Sequence, residues 1–141
     1  MWHRFPAGVR AWCGIELNPV THTERIVSAV GGALGILFIL LATTLTLGAR
    51  DAALLIVASM GASAVLLFAV PHGPLSQPWS LIGGHGISAV IGVACAMYVP
   101  NLYIAAALAV GLAIGAMHYL RCIHPPGGAT ALTAVIGGPA V

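Results

Sequence analysis

Residues 26–49 read IVSAVGGALGILFILLATTLTLGA, an apolar run without a charged side chain, bracketed by Arg25 and Arg50. At about 1.5 Å per residue this run would cover about 36 Å as a helix, more than the hydrocarbon core of about 30 Å. A helix that is apolar on every side belongs in lipid.

The rest of the chain shares that character. Of 141 residues, 60% are hydrophobic and 6% charged, whereas soluble domains carry about 25% charged residues. A water-facing surface cannot be made from so few charges. The length allows one domain with roughly four or five crossings at about 20 residues each. Arg4, Arg10, Glu16, Glu24, Arg25, Arg50 and Asp51 all precede Ala52, and from there to Val141 the one charged residue is Arg121. The net charge of +2 is too small and too scattered to suggest a nucleic-acid partner.

Residues 1–25 read as an interfacial amphipathic segment. Trp2, Phe5, Val9, Trp12 and Ile15 recur every three or four residues, which suits a helix lying at headgroup depth. Asn18-Pro19 ends it. No long apolar run precedes the first span, so a cleaved signal peptide is not expected. Cys13, Cys95 and Cys122 form no CxxC pair, and Cys95 reads as a small buried hydrophobe.

Residues 26–141 read as a transmembrane domain. Its spans are expected at about 26–49, 52–70, 80–99, 102–120 and 126–138. The second is interrupted by small residues near Ser59-Met60-Gly61 and ended by Pro71-His72-Gly73-Pro74. Trp79 marks an interface before the third, Pro100-Asn101 turns into the fourth, and Arg121 closes it. The last segment is the odd one. Residues 127–141 supply about 22 Å of helix at most, short of a full crossing. It is a half-helix, or a span whose remainder lies beyond Val141. The expected fold is an all-α polytopic membrane helix bundle with four full spans plus a fifth short or broken one. Gly31 with Gly35, and Gly111 with Gly115, allow a second helix to approach closely. That helix comes from this chain or from another copy, and a homo-oligomer through Gly-rich faces is expected. Four crossings put Arg4, Arg10, Arg25 and Arg121 on one side and Arg50 on the other. The N-terminus is then cytoplasmic, in a bacterial inner membrane.

Gly61-Ala62-Ser63-Ala64 in the second span echoes Gly128-Ala129-Thr130-Ala131 in the last. The two segments would cross in opposite directions, as in the inverted repeats of transporters with broken helices. A helix that starts inside a membrane leaves N–H groups to be satisfied and carries about half a positive charge. Glycines let a ligand reach the backbone, and Ser63 or Thr130 adds a hydroxyl. Two such starts could hold a small anion without a buried arginine. The alternative is ordinary packing, with the hydroxyls bonded back to their own helices. No Asp or Glu follows Asp51, which argues against a cation path lined by carboxylates.

Four histidines fall in this domain. His72 lies in the loop after the second span. His85, in Gly83-Gly84-His85-Gly86, and His124, before Pro125-Pro126, could donate to an anion or carry a proton. His118 reads as a helix-end residue bonded to a backbone carbonyl. A histidine metal site is the rival use, weakened by the lack of HxxxH spacing.

The run Met117-His118-Tyr119-Leu120-Arg121-Cys122-Ile123-His124-Pro125-Pro126-Gly127-Gly128-Ala129-Thr130-Ala131-Leu132 resembles the signature of the HPP family of integral membrane proteins. Residues 61–68 and 74–86 look like further segments of it, so that the resemblance covers roughly residues 24–141. It implies a compact multi-span domain and, from plastid and cyanobacterial members, nitrite transport. Family chains continue past a Gly-Gly-Pro-Ala-Val-like run into another apolar segment.

The sequence thus predicts a transporter or channel for a small inorganic anion, nitrite foremost. Its substrate site comprises Gly61, Ala62, Ser63, His85, His124, Gly127, Gly128, Ala129 and Thr130, with Arg121 attracting anions at the cytoplasmic mouth. No cofactor, bound metal or catalytic residue is expected, since no nucleophile–base pair occurs. A metal-ion or proton pathway and a non-transporting membrane scaffold are the alternatives.

Overall fold

Thr21 and Glu24 open the first helix by capping each other. The Thr21 N–H donates to Glu24 Oε2 at 2.7 Å, and the Glu24 N–H donates to Thr21 Oγ1 at 3.2 Å. This reciprocal box satisfies two otherwise unpaired N–H groups. In the computed structural model, which describes residues 21–47 and 50–137 together with Pro6 and Gly8, helix α1 therefore begins at His22 and runs to Leu47. The charge-bracketed reading placed its start four residues later. A polar first turn can be helical while it stands outside the hydrocarbon. The interfacial helix expected over residues 1–20 lies outside the described residues. In the last turns of α1, the hydroxyls of Thr43, Thr44 and Thr46 donate to the carbonyls of Ile39, Leu40 and Ala42, so none is stranded in an apolar setting.

Helix α2 (Arg50–Ala69) is continuous. The interruption expected at Ser59-Met60-Gly61 does not occur. A glycine costs a helix about 1 kcal/mol, whereas an unpaired backbone group in lipid costs several. Its end is held by a buried serine from the following 3₁₀ turn (Pro74–Ser76). Ser76 Oγ lies 3.0 Å from Leu66 O and 2.8 Å from Val70 O, within reach of two carbonyls that also accept from the N–H groups of Val70 and Gly73.

Helices α3 (Pro78–Tyr98), α4 (Leu102–Tyr119) and α5 (Pro126–Gly137) follow. Pro78 opens α3 at a position that needs no N–H donor. Asn101 caps α4 by accepting from the N–H groups of Tyr103 and Ile104. The end of α4 is a Schellman turn. The Arg121 N–H donates to His118 O and the Cys122 N–H to Met117 O. Arg121 occupies the left-handed position at φ 54°, where glycine is usual.

The interior is made of small residues. Helix α3 buries Ser80, Gly84, Ser88, Gly92 and Cys95, and α4 buries Ala105, Ala109, Ala113 and Met117. Ala131 and Val135 of α5 complete that core. Large apolar side chains point outward, with Phe38 72% and Ile82 70% exposed. Small residues inside and large ones outside is the arrangement of helices that meet lipid, because backbones gain more from close approach than from burying leucine. By length and apolarity, α1 over His22–Thr46, α3 and α4 can each cross a membrane, while α2 contributes the shorter apolar stretch Val57–Ala69. Four full spans were expected, and among the described residues three helices meet both criteria. Helix α5 is short, as expected, at 12 residues.

The glycine pairs divide. The Gly31–Gly35 face receives Phe68 of α2, within 2.7 Å of a Cβ built at Gly31. Gly111 and Gly115 have nothing within 4 Å, because α4 packs through its alanine face instead.

Candidate functional site

The His-Pro-Pro turn is pressed against α3. A Cβ at Gly84 would stand 2.5 Å from His124 Cβ and 3.0 Å from Cys122 O, and one at Gly127 would stand 2.8 Å from Ser88 Oγ. No larger residue fits either place without displacement. This contact fixes His124, which is 0% exposed, and brings α5 alongside His85 in the middle of α3.

Four side chains then form one hydrogen-bonded chain. His124 Nδ1 lies 2.8 Å from Leu75 O. His124 Nε2 lies 2.9 Å from Ser63 Oγ. The same Ser63 Oγ lies 2.8 Å from His85 Nε2. His85 Nδ1 lies 2.7 Å from Thr130 Oγ1. The two imidazoles meet edge to face with centroids 4.9 Å apart.

Proton counting orients the whole chain when both rings are neutral. A carbonyl can only accept, so His124 Nδ1–H donates to Leu75 O and Nε2 is bare. Ser63 therefore donates its one proton to His124 Nε2. His85 Nε2–H must then donate to Ser63 Oγ, which leaves His85 Nδ1 to accept from the Thr130 hydroxyl. The two histidines hold opposite tautomers, fixed from one end by a single backbone carbonyl. Alternative acceptors stand beside both hydroxyls: Pro126 O is 3.3 Å from Thr130 Oγ1, and Ser59 O is 3.4 Å from Ser63 Oγ. Two positive charges at the 4.9 Å ring separation would repel by about 3 kcal/mol at an effective dielectric of about 20.

The two hydroxyls occupy matching places in the sequence echo. Ser63 is third in Gly61-Ala62-Ser63-Ala64, and Thr130 is third in Gly128-Ala129-Thr130-Ala131. Each bonds one nitrogen of His85, so that a single ring is clasped from both copies.

A cavity of about 430 Å³ opens at this clasp, lined by Ser63 and His85 among apolar side chains of α1, α2 and α3. The other predicted positions fall differently. Gly61 lines a separate cleft of about 880 Å³ between α1 and α2, with Arg25 at its edge. Ala62 and Ala129 are exposed. Gly127 is a packing glycine. Gly128 lines a third cavity with His118. The expected N–H donors at the start of α5 are engaged, since Gly127 N donates to His124 O and Gly128 N to Pro125 O. The expected helix start at Gly61 is absent, because α2 runs through it. The site thus consists of side chains on continuous helices rather than of open helix ends. Arg121 and His72 are exposed. His118 is exposed without a hydrogen-bond partner for its ring among the described residues, where a bond to a carbonyl was expected. Among the described residues, no three His, Cys, Asp or Glu side chains gather as a metal ligand set.

Sequence reasoning missed Leu75 O, whose role depends on the 3₁₀ turn, and Gly84, whose place opposite His124 depends on packing. The buried glycine–serine spacing of α3 was the available signal for the second.

Apolar helices with an inward cluster of small and polar residues define an integral membrane protein. Residues 17–141 match the family described as HPP, transmembrane region, and the chain belongs to it. It is similar to two transmembrane proteins of Dictyostelium discoideum. One is 49% identical over 86 residues, which cover 58% of this chain and 30% of that protein. The other is 50% identical over 82 residues, covering 55% of this chain and 26% of that protein. The chain spans less than a third of the length of these curated relatives. No solved structure matches it.

Proposed function

We propose that this protein carries a small inorganic anion, nitrite foremost, across the bilayer. The observation that supports this reading is the convergence of Ser63, His85, Thr130 and His124 at one point among apolar helices, with a cavity reaching Ser63 and His85. Hydroxyl and imidazole groups can turn donors toward an anion. No carboxylate follows Asp51 to favour a cation. The amino end of α5 adds a partial positive charge nearby. Nitrite as the leading substrate comes from the HPP resemblance. The site acts by binding and not by catalysis.

In this reading α2 is the fourth crossing and α5 a half-span, and the N-terminus faces the cytoplasm. The two echo segments are halves of an inverted repeat, supported by the way Ser63 and Thr130 grip opposite nitrogens of His85. The open Gly111–Gly115 face of α4 is where copies would associate in an oligomer.

Anion uptake into proteoliposomes tests the proposal, with nitrite, nitrate, formate and chloride compared. Nitrite should enter faster than in protein-free vesicles, and Thr130→Val should slow it at least tenfold. Absence of protein-dependent uptake for every anion would refute transport.

A further inference from the structure

We propose that the Thr130–His85–Ser63–His124 chain is a proton relay, and that the substrate crosses together with a proton, as a neutral weak acid. This rests on the transport reading and specifies its substrate class.

The first argument is the wall of the cavity. Ser63 and His85 are its polar members, and Ile36, Met60, Leu67, Phe68 and Leu81 are among the rest. Among the described residues, no cationic side chain lines it. A bare anion there would lose its water and meet little in return, whereas a neutral acid gives up far less and can recover a hydrogen bond at Ser63 or His85. The second argument is the continuity of the chain. Ser63 Oγ lies between the two rings at 2.8 and 2.9 Å, so one hydroxyl serves both nitrogens. Ser63 lines the cavity and His124 is buried behind it.

The transfer balances without a further reactant. In the cavity the acid HA donates to a lone pair of Ser63 Oγ. The A–H bond breaks as a new Oγ–H bond forms. The former Ser63 proton passes to His124 Nε2. The products are A⁻ and a His124 imidazolium, whose Nδ1–H still donates to Leu75 O. Return of the proton re-forms HA. A proton delivered to Thr130 Oγ1 moves along the same chain. The former Thr130 proton passes to His85 Nδ1, the His85 Nε2 proton passes to Ser63 Oγ, and the Ser63 proton passes to His124 Nε2. This leaves a His124 imidazolium and His85 in its other tautomer. Each transfer runs along an existing hydrogen bond, so neither ring has to turn.

The groups facing this pair from each neighbouring element are few. Helix α2 presents Ser63, α5 presents Thr130, and α1 contributes Gly35, Ile36 and Ile39 to the cavity. The titratable residues of α4 (Tyr103, His118 and Tyr119) are exposed, and no acid follows Asp51.

The test uses the full chain in liposomes, with membrane potential clamped by potassium and valinomycin and internal pH read by a trapped dye. Nitrite and formate should enter with one proton each, acidify the lumen above the protein-free rate, and respond to an imposed pH gradient but not to potential. Nitrate and chloride, which stay ionised, should be carried at least a hundredfold more slowly. Ser63→Ala should cut weak-acid uptake at least tenfold, while Ser63→Thr, which keeps the hydroxyl, should retain most of it. Flux of nitrite or nitrate that follows potential without acidification would overturn the relay and leave anion transport standing. No protein-dependent flux of any anion would overturn both. Wild-type stoichiometry decides the matter even if Ser63→Ala fails to fold.

Discussion

Replacing Gly84 by alanine is the sharpest probe of the packing that holds the site. The added methyl would lie 2.5 Å from His124 Cβ and 3.0 Å from Cys122 O. Neither neighbour is the free end of a flexible side chain, so the His-Pro-Pro turn has to move. Overpacking of this kind costs about 1–3 kcal/mol. Alanine in place of glycine within a helix returns about 1 kcal/mol. The net expectation is a loss of up to about 2 kcal/mol. Gly86, two residues on in the same helix, has nothing within 4 Å. Gly86→Ala should therefore gain up to about 1 kcal/mol from propensity alone. Reversible unfolding in mixed micelles, read by far-ultraviolet circular dichroism, should place Gly84→Ala below Gly86→Ala by about 1–3 kcal/mol, the overpacking cost. Equal stability of Gly84→Ala and Gly86→Ala would refute the close contact between α3 and the His-Pro-Pro turn.

Other perturbations have equally definite outcomes. Arg121→Gly should stabilise the fold by about 1 kcal/mol, because it relieves a left-handed residue, while slowing anion uptake by removing the one charge after Asp51; unfolding and flux measured on one preparation check both halves. Asn101→Ala should lose about 1 kcal/mol with the cap of α4, visible as faster hydrogen exchange at Tyr103 and Ile104. Cys95 and Cys122 are buried, so in a Cys13→Ser background a maleimide should label neither until the protein is unfolded.

Much of this fold could be read before any coordinates. Apolar runs ended by arginine, proline and Asn101 placed the five helices described above to within a few residues, because lipid forces backbone groups to pair within the segment. The misreadings share one cause. At Gly61 and at the start of α5, local weakness was taken for exposed backbone. In α2 the same pressure to pair keeps the helix whole, and at the start of α5 it engages Gly127 and Gly128 with the preceding turn. Ser63, His85, His124 and Thr130 were each legible as polar groups in apolar surroundings. Their order along one hydrogen-bonded chain was not, since residues 22, 45 and 61 positions apart meet only through packing. Nor could spacing show that Leu75, an apolar residue in a loop, supplies the carbonyl that orients the rest.

That orientation is open to direct measurement. Histidine ¹⁵N spectra of the membrane-embedded protein, with His3, His22, His72 and His118 replaced by glutamine, report which nitrogen of each remaining ring carries the proton. At a pH where both rings are neutral, the account predicts His124 protonated at Nδ1 and His85 protonated at Nε2, with the His85 preference weakened by Ser63→Ala. Two histidines in the same tautomer, or a His85 indifferent to the loss of the Ser63 hydroxyl, would contradict it.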